Sequence, residues 1–215
     1  MQIDPDLRIP TQEEMHEIRR QQILNAADRS FRKNGFHATT LRLIAKEFGM
    51  SVGLIYNYFE SKEAIVEALI RRESEHFVQL LTREIIGTPG HEQTFYERMS
   101  PVVDLFLDPE IAHVALAIDN EALTNEKIRR VVEENNRYIR ERIEQLVFSI
   151  HKNRQRTPRR ERLFRKRLAI FLAFLQGSRY LALFNSGYSR EEYKDLLIQN
   201  FYMISRIAEV PLELE

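Results

Sequence analysis

Two short apolar stretches, 40–48 and 51–58, are joined by Gly49-Met50-Ser51, and this junction constrains the fold more than any other feature of the sequence. Helices linked this tightly must cross closely and at a steep angle. Ala45 is small where the second helix presses on the first. Gly49 falls at the turn, where a left-handed backbone is cheap only for glycine. Ile44, Phe48, Leu54 and Ile55 are expected to bury in a shared core, and Ser51 to cap the orphan amides of the following helix. Val52, Gly53, Tyr56 and Asn57 then remain outward. They are small or hydrogen-bonding groups of the kind a DNA major groove accepts.

Helical periodicity runs through the rest of the chain, and glycine and proline sit at its breaks. No strand-length alternating segment is bounded by turns, so the fold class is all-α, with about nine helices. The first is expected over 11–34, with Thr11 and Glu14 as a capping box, Gly35 as its stop, and Ile18, Ile23, Leu24, Ala27 and Phe31 as its apolar stripe. A fourth helix over 62–86 ends at the Gly87–Gly90 loop. Further helices are expected near 92–107, 108–118, 124–151, 157–185 and 189–208, the last opened by a Ser189/Glu192 capping box. The expected domains are a flexible N-terminal arm over 1–10, a three-helix helix-turn-helix DNA-binding domain over 11–60, and a helical body over 61–215.

Net charge is zero over 215 residues, but it is unevenly spread. Residues 19–62 carry eight bases and three acids, 63–151 carry ten bases and seventeen acids, and 152–167 carry nine bases and one acid. A basic head joined to an acidic middle suits a polyanion-binding unit on a body that is not one. The basic run from Lys152 to Arg167 lacks interleaved aromatics and is expected to be a solvated or intersubunit charge cluster. There is no cysteine, which excludes disulfides and cysteine metal sites and fits a reducing cytoplasm. The first ten residues have no apolar h-region and are not expected to be a signal peptide. The longest apolar run, Leu168 to Leu175, is far short of the ~20 residues that span a bilayer, so no membrane association is expected. No nucleophile–base motif, glycine-rich phosphate loop or metal-spaced histidine pair occurs, so neither enzyme activity nor a cofactor or metal is expected.

Spaced residues over about 19–69 resemble the DNA-binding domain of the TetR/AcrR family of regulators. They are Arg20-x-x-Ile23-Leu24-x-Ala26-Ala27, Phe31-x-x-x-Gly35-Phe36-x-Ala38-Thr39-Thr40, Ile44-Ala45-x-x-Phe48-Gly49-Met50-Ser51 and Gly53-x-Ile55-Tyr56-x-Tyr58-Phe59-x-Ser61-Lys62-Glu63. The resemblance implies a DNA contact set drawn from Thr39, Thr40, Arg42, Ser51, Val52, Gly53, Tyr56, Asn57, Tyr58 and Lys62. Thr40, Tyr56, Tyr58 and Lys62 would lie at or near phosphates, and Val52, Gly53 and Asn57 near base edges. Asn57 stands where tryptophan or arginine is common, which leaves the operator sequence open.

The last two helices carry more apolar face than one small body covers. Leu168, Phe171, Leu172, Leu175, Leu197, Phe201 and Ile204 are therefore expected at a homodimer interface, as in the four-helix interfaces of the family. The resemblance also implies an effector chamber among the middle helices. Its candidate residues are Phe95, Met99, Phe106, His113, Asp119, Asn120, Tyr138 and Gln176, and they suit an aromatic or lipophilic, and even a cationic, effector. The expected function is a ligand-responsive regulator, a repressor, binding a palindromic double-stranded operator as a dimer. The alternative keeps the DNA head and gives the body a protein partner instead of a small molecule.

Overall fold

A computed structural model describes residues 11–86, 93–150, 157–184 and 187–206. The expected arm over 1–10, the Gly87–Gly90 loop and residues 152–156 of the basic run lie outside them. The described residues form nine α-helices and no strand: α1 Gln12–Ala38, α2 Leu41–Phe48, α3 Val52–Tyr56, α4 Lys62–Ile86, α5 Phe95–Phe106, α6 Pro109–Ala122, α7 Glu126–Ile150, α8 Pro158–Leu183 and α9 Arg190–Arg206.

Local rules set most of these boundaries. Thr11 and Glu14 form the capping box of α1, each side chain bonding the other's backbone N–H. Asp108 accepts from the amides of Glu110 and Ile111, with Pro109 in the first helical turn. Ser189 and Glu192 make the second expected box. A third, Thr94 with Glu97, opens α5. Gly35, with a φ of 75° and ψ of 170°, breaks α1 where the stop was expected, and a short further turn carries the span on to Ala38. Two boundaries differ from expectation. α5 begins at Phe95, three residues later than expected, behind its Thr94 cap. α6 runs on to Ala122, because Ile118 and Ala122 are buried and hold its last turn.

The contacts divide the chain into two units, one ending at Leu69 and the other beginning at Ile70, with α4 as the covalent link between them. In the first unit α1 packs on α2 and α2 on α3. Ile23, Ile44, Ile55, Ile65 and Val66 are fully buried there, each apolar side chain contributing roughly 1.5–3 kcal/mol on removal from water. Ile18 was expected on this stripe but is exposed, since it lies in the part of α1 that precedes the buried run beginning at Ile23. Phe48 and Leu54 are only partly buried.

In the second unit α5 packs on α8 and α9, and α6 on α7 and α8. Its core gathers Phe77 and Leu81 of α4, Val102, Val103 and Phe106 of α5, Ile143 of α7, Leu168 and Leu175 of α8, and Leu197 and Phe201 of α9. Asp104 of α5 accepts from Lys194 at 2.7 Å and from Arg190 at 3.4 Å, and Tyr96 donates to Asp195 at 2.6 Å. These contacts pin α5 to α9.

Candidate nucleic-acid interface

The α2–α3 junction is built from backbone geometry first. Thr40 caps α2, its hydroxyl accepting from the Leu43 amide at 3.3 Å. Gly49 ends α2 with φ 75° and ψ 28°, the left-handed conformation, and Met50 donates to the Ala45 carbonyl at 2.9 Å. Ser51 then caps α3 by accepting from the Leu54 amide at 3.3 Å. α3 is a single short turn held by Ile55, which is fully buried, and by Phe59, whose amide donates to the Ile55 carbonyl.

Anchoring α3 on one side leaves the other side outward. Tyr56 is 56% exposed. Ser51, Gly53 and Asn57 are exposed and Val52 is partly so. Thr40 and Arg42 are also exposed, and Lys46 lies one turn beyond Arg42 on the same side of α2. The only acid of α2, Glu47, is already paired with Arg29 at 2.9 Å, so it does not offset them. The short helix thus presents hydrogen-bonding groups on an exposed edge, flanked by unopposed bases.

Three members of the expected contact set do something else. Thr39 is fully buried, its hydroxyl donating to the Gly35 carbonyl at 2.7 Å with the Ser30 carbonyl 3.0 Å away. It fastens the end of α1 and offers nothing to a phosphate, which corrects its place in the set. The Lys62 ammonium donates to the Phe36 carbonyl at 3.1 Å and lies 4.3 Å over that residue's ring, so the charge expected near phosphates is engaged in holding the chain after the kink. Tyr58 is half-buried against His16, ring centroids 4.6 Å apart. Other bases of the head serve the fold too: Arg20 stacks over Phe59 at 4.4 Å and donates to the Tyr58 carbonyl, and Arg32 pairs with Asp28.

The second unit corrects the expected dimer residues. Leu168, Leu175, Leu197 and Phe201 are buried within the single chain, and Phe171 and Leu172 pack against that core. Phe171 and Phe201 meet with ring centroids 4.6 Å apart. The Ile204 side chain lies outside the described residues. What α8 exposes is its opposite side, Ile170 and Tyr180 at 58% each, with Phe184 just past its end; Phe174 is part-exposed at 37% at the edge of the core, its ring 5.6 Å from Phe201, and Leu196 is exposed on α9. Helical periodicity showed an apolar stripe on α8, but two stripes are interleaved there, and sequence alone selected the inward one.

The expected effector residues scatter. Met99 and Phe106 are core, and Phe95 packs on the Tyr202 ring. His113, Asn120 and Tyr138 are exposed, and Gln176 donates to Asn136 at 3.4 Å. Phe106 and Asp119 alone are linked through a shared neighbour, Arg179, which sequence reasoning did not single out. No group of His, Asp or Glu suited to a metal ion occurs among the described residues. None of the described helices is long and apolar enough to cross a membrane.

Comparison with known proteins places this geometry. A sequence model of bacterial regulatory proteins of the tetR family matches residues 23–69. The HTH-type transcriptional regulator UidR of Escherichia coli is 35% identical over 81 residues, covering 32% of this chain and 41% of UidR. The chain therefore spans about two fifths of the length of that relative. The HTH-type transcriptional repressor Rv1474c of Mycobacterium tuberculosis is 28% identical over 127 residues, 54% of this chain and 68% of the repressor. A crystal structure of a Mesorhizobium loti protein assigned to the TetR family of transcriptional regulators shares the fold, with a TM-score of 0.71, 16% identity, and coverage of 92% of this chain and 98% of that one. The helix-turn-helix head, residues 23–69, thus matches the tetR family of bacterial regulatory proteins, and the described helices share the fold of a solved structure assigned to that family.

Proposed function

We propose that this protein is a ligand-responsive transcriptional repressor that binds a palindromic operator as a homodimer in the cytoplasm. The observation that carries the reading is α3, held by buried Ile55 and Phe59 with Tyr56, Gly53 and Asn57 left outward. A single such helix covers few base pairs, so specific affinity calls for two half-sites about one helical turn, ~34–36 Å, apart. The exposed stripe of Ile170, Phe174, Tyr180 and Phe184 supplies an apolar surface for the second copy, continued by Leu196 of α9. Repression is supported by the name of the mycobacterial relative, which matches more than half of this chain.

An effector held in the second unit regulates the head through α4, the helix shared by both units. It does so only to the extent that it binds the DNA-free state more tightly, typically by ~1–3 kcal/mol. The test is a gel shift with the promoter fragment of the protein's own locus. The expected result is a salt-sensitive complex of one dimer per operator that Tyr56→Ala weakens strongly. Equal binding of wild type and Tyr56→Ala to that fragment, or no complex at low salt, defeats the reading.

A further inference from the structure

Arg179 of α8 carries a guanidinium that is only partly satisfied among the described residues. Its Nε is closed off from solvent and unpartnered. The guanidinium carbon lies 4.8 Å over the Phe106 ring. Burial holds the pKa of this arginine below its ordinary value, with the charge of Asp119 opposing the shift. Buried polar groups are paired in nearly all proteins, and an unpaired charged donor is the costlier exception. An orphan of this kind marks a place where an acceptor belongs.

Asp119 of α6 shows what surrounds it. It lies seven residues after Ala112 and three before Ala122, so all three fall on one side of the helix. Ala112 and Ala122 are buried, yet Asp119 is open to solvent. The same carboxyl is crowded enough by protein that desolvation raises its pKa above the ordinary value, against the pull of Arg179. The carboxyl thus lies where the packed side of α6 meets solvent, with the small Ala112, Ala115 and Ala122 as neighbours along the helix. Asp119 and Arg179 attract each other, but no ion pair joins them among the described residues.

We infer that Arg179 anchors an effector site between α5, α6 and α8, and that the effector is a small organic acid with an apolar body. The inference rests on the ligand-responsive reading above and names the ligand's chemistry. The planar guanidinium fork matches a carboxylate through two parallel N–H···O bonds. Phe106 beneath the guanidinium and the alanines of α6 make the surroundings of the anchor apolar, which favours an acid with an apolar body over a strongly hydrated anion. Asp119 faces the anchor and suits a hydroxyl or ammonium donor carried beside the carboxylate. A simple lipophilic cation does not answer to the unpaired Arg179.

The experiment is isothermal calorimetry on the full chain without DNA, so its result is independent of operator binding. Octanoate, benzoate and 3-phenyllactate are titrated beside their primary amides, with choline as the cationic control. The expected result is that at least one carboxylate binds about 10- to 100-fold more tightly than its amide. Arg179→Gln removes that preference, and Arg179→Lys, which keeps charge without the fork, narrows it. Circular dichroism reports whether the Gln variant folds, and the Lys variant carries the test if it does not. Carboxylates that bind no better than amides, or no binding by any of them, overturn the inference. So does choline binding that disappears in Asp119→Asn, which would make the aspartate the anchor.

Discussion

The Lys62 ammonium lies 4.3 Å above the Phe36 ring and donates to the same residue's carbonyl at 3.1 Å. One side chain thereby ties the start of α4 to the segment beyond the Gly35 kink. A base expected near phosphates is here part of the fold of the head. Lys62→Met should destabilise the first unit by about 1 kcal/mol, the loss of an exposed cation–π contact and a charge-assisted hydrogen bond. Urea unfolding of wild type and variant measures it.

The same relationship separates two kinds of base in DNA binding. A lysine or arginine on a phosphate contributes about one unit to the slope of log K against log salt. Arg42→Ala and Lys46→Ala should each reduce the slope by about that amount, because both are exposed on α2 and neither has an ion-pair partner among the described residues. Lys62→Met should leave the slope unchanged. Fluorescence anisotropy over a salt series distinguishes them.

Tyr56→Phe removes only a hydroxyl from an outward ring. It should weaken operator binding by about 3- to 10-fold without changing the melting temperature, the ordinary worth of one neutral hydrogen bond. Anisotropy and thermal melting on the same preparation are sufficient.

Gly35 and Gly49 both have φ near 75°, but their ψ values, 170° and 28°, separate them. The Gly49 conformation is left-handed helical, which asparagine tolerates, so Gly49→Asn should cost little and Gly49→Ala ~1–2 kcal/mol. The Gly35 conformation is open essentially to glycine alone, so Gly35→Asn should lose about 1–3 kcal/mol, as Gly35→Ala does. A Cβ at either site meets nothing within 4 Å, so the cost is backbone strain and not collision. Chemical denaturation of the four variants checks the order.

The two sides of α8 should fail differently. Leu175 is fully buried, and Leu175→Ala should lose ~2–5 kcal/mol of stability. Ile170 is exposed in the single chain, and Ile170→Glu should leave a folded monomer. Light scattering after size exclusion reads the second, and calorimetric melting the first.

Acid should loosen α5 and α9 through their caps. Glu97 and Glu192 accept backbone and side-chain hydrogen bonds from Thr94 and Ser189, which lowers each carboxyl below its ordinary 4.5. A carboxylate depressed by folding stabilises above its unfolded value and loses that contribution as pH falls through the folded one. Below about pH 4.5, wild type should therefore lose stability more steeply than the Glu97→Gln/Glu192→Gln double variant. Melting temperatures between pH 3 and pH 7 compare the two slopes.

Features that depend on near neighbours were legible in the chain. Thr11 with Glu14, Asp108 with Pro109 and Ser189 with Glu192 opened helices where expected, because a capping side chain satisfies amides two or three residues away. Gly49 and Ser51 announced the turn and the cap of the short helix for the same reason. Thr94 with Glu97 was equally readable and was passed over, since the helix was expected to begin three residues earlier, at 92. Thr39 was misplaced because its pattern, a hydroxyl beside the first short helix, is the same whether it faces a phosphate or the carbonyls of Ser30 and Gly35.

The amino-acid sequence alone determined the all-helical class, the α2–α3 turn and the outward side of α3, since each follows from backbone preference and helical period within about ten residues. Only tertiary structure decided which apolar stripe of α8 turns inward, that Lys62 is engaged with Phe36, and that the Arg179 Nε is left without an acceptor. Periodicity says that a face is apolar. What covers it, and whether a buried charge finds a partner, is settled by residues far away in the chain that packing brings alongside.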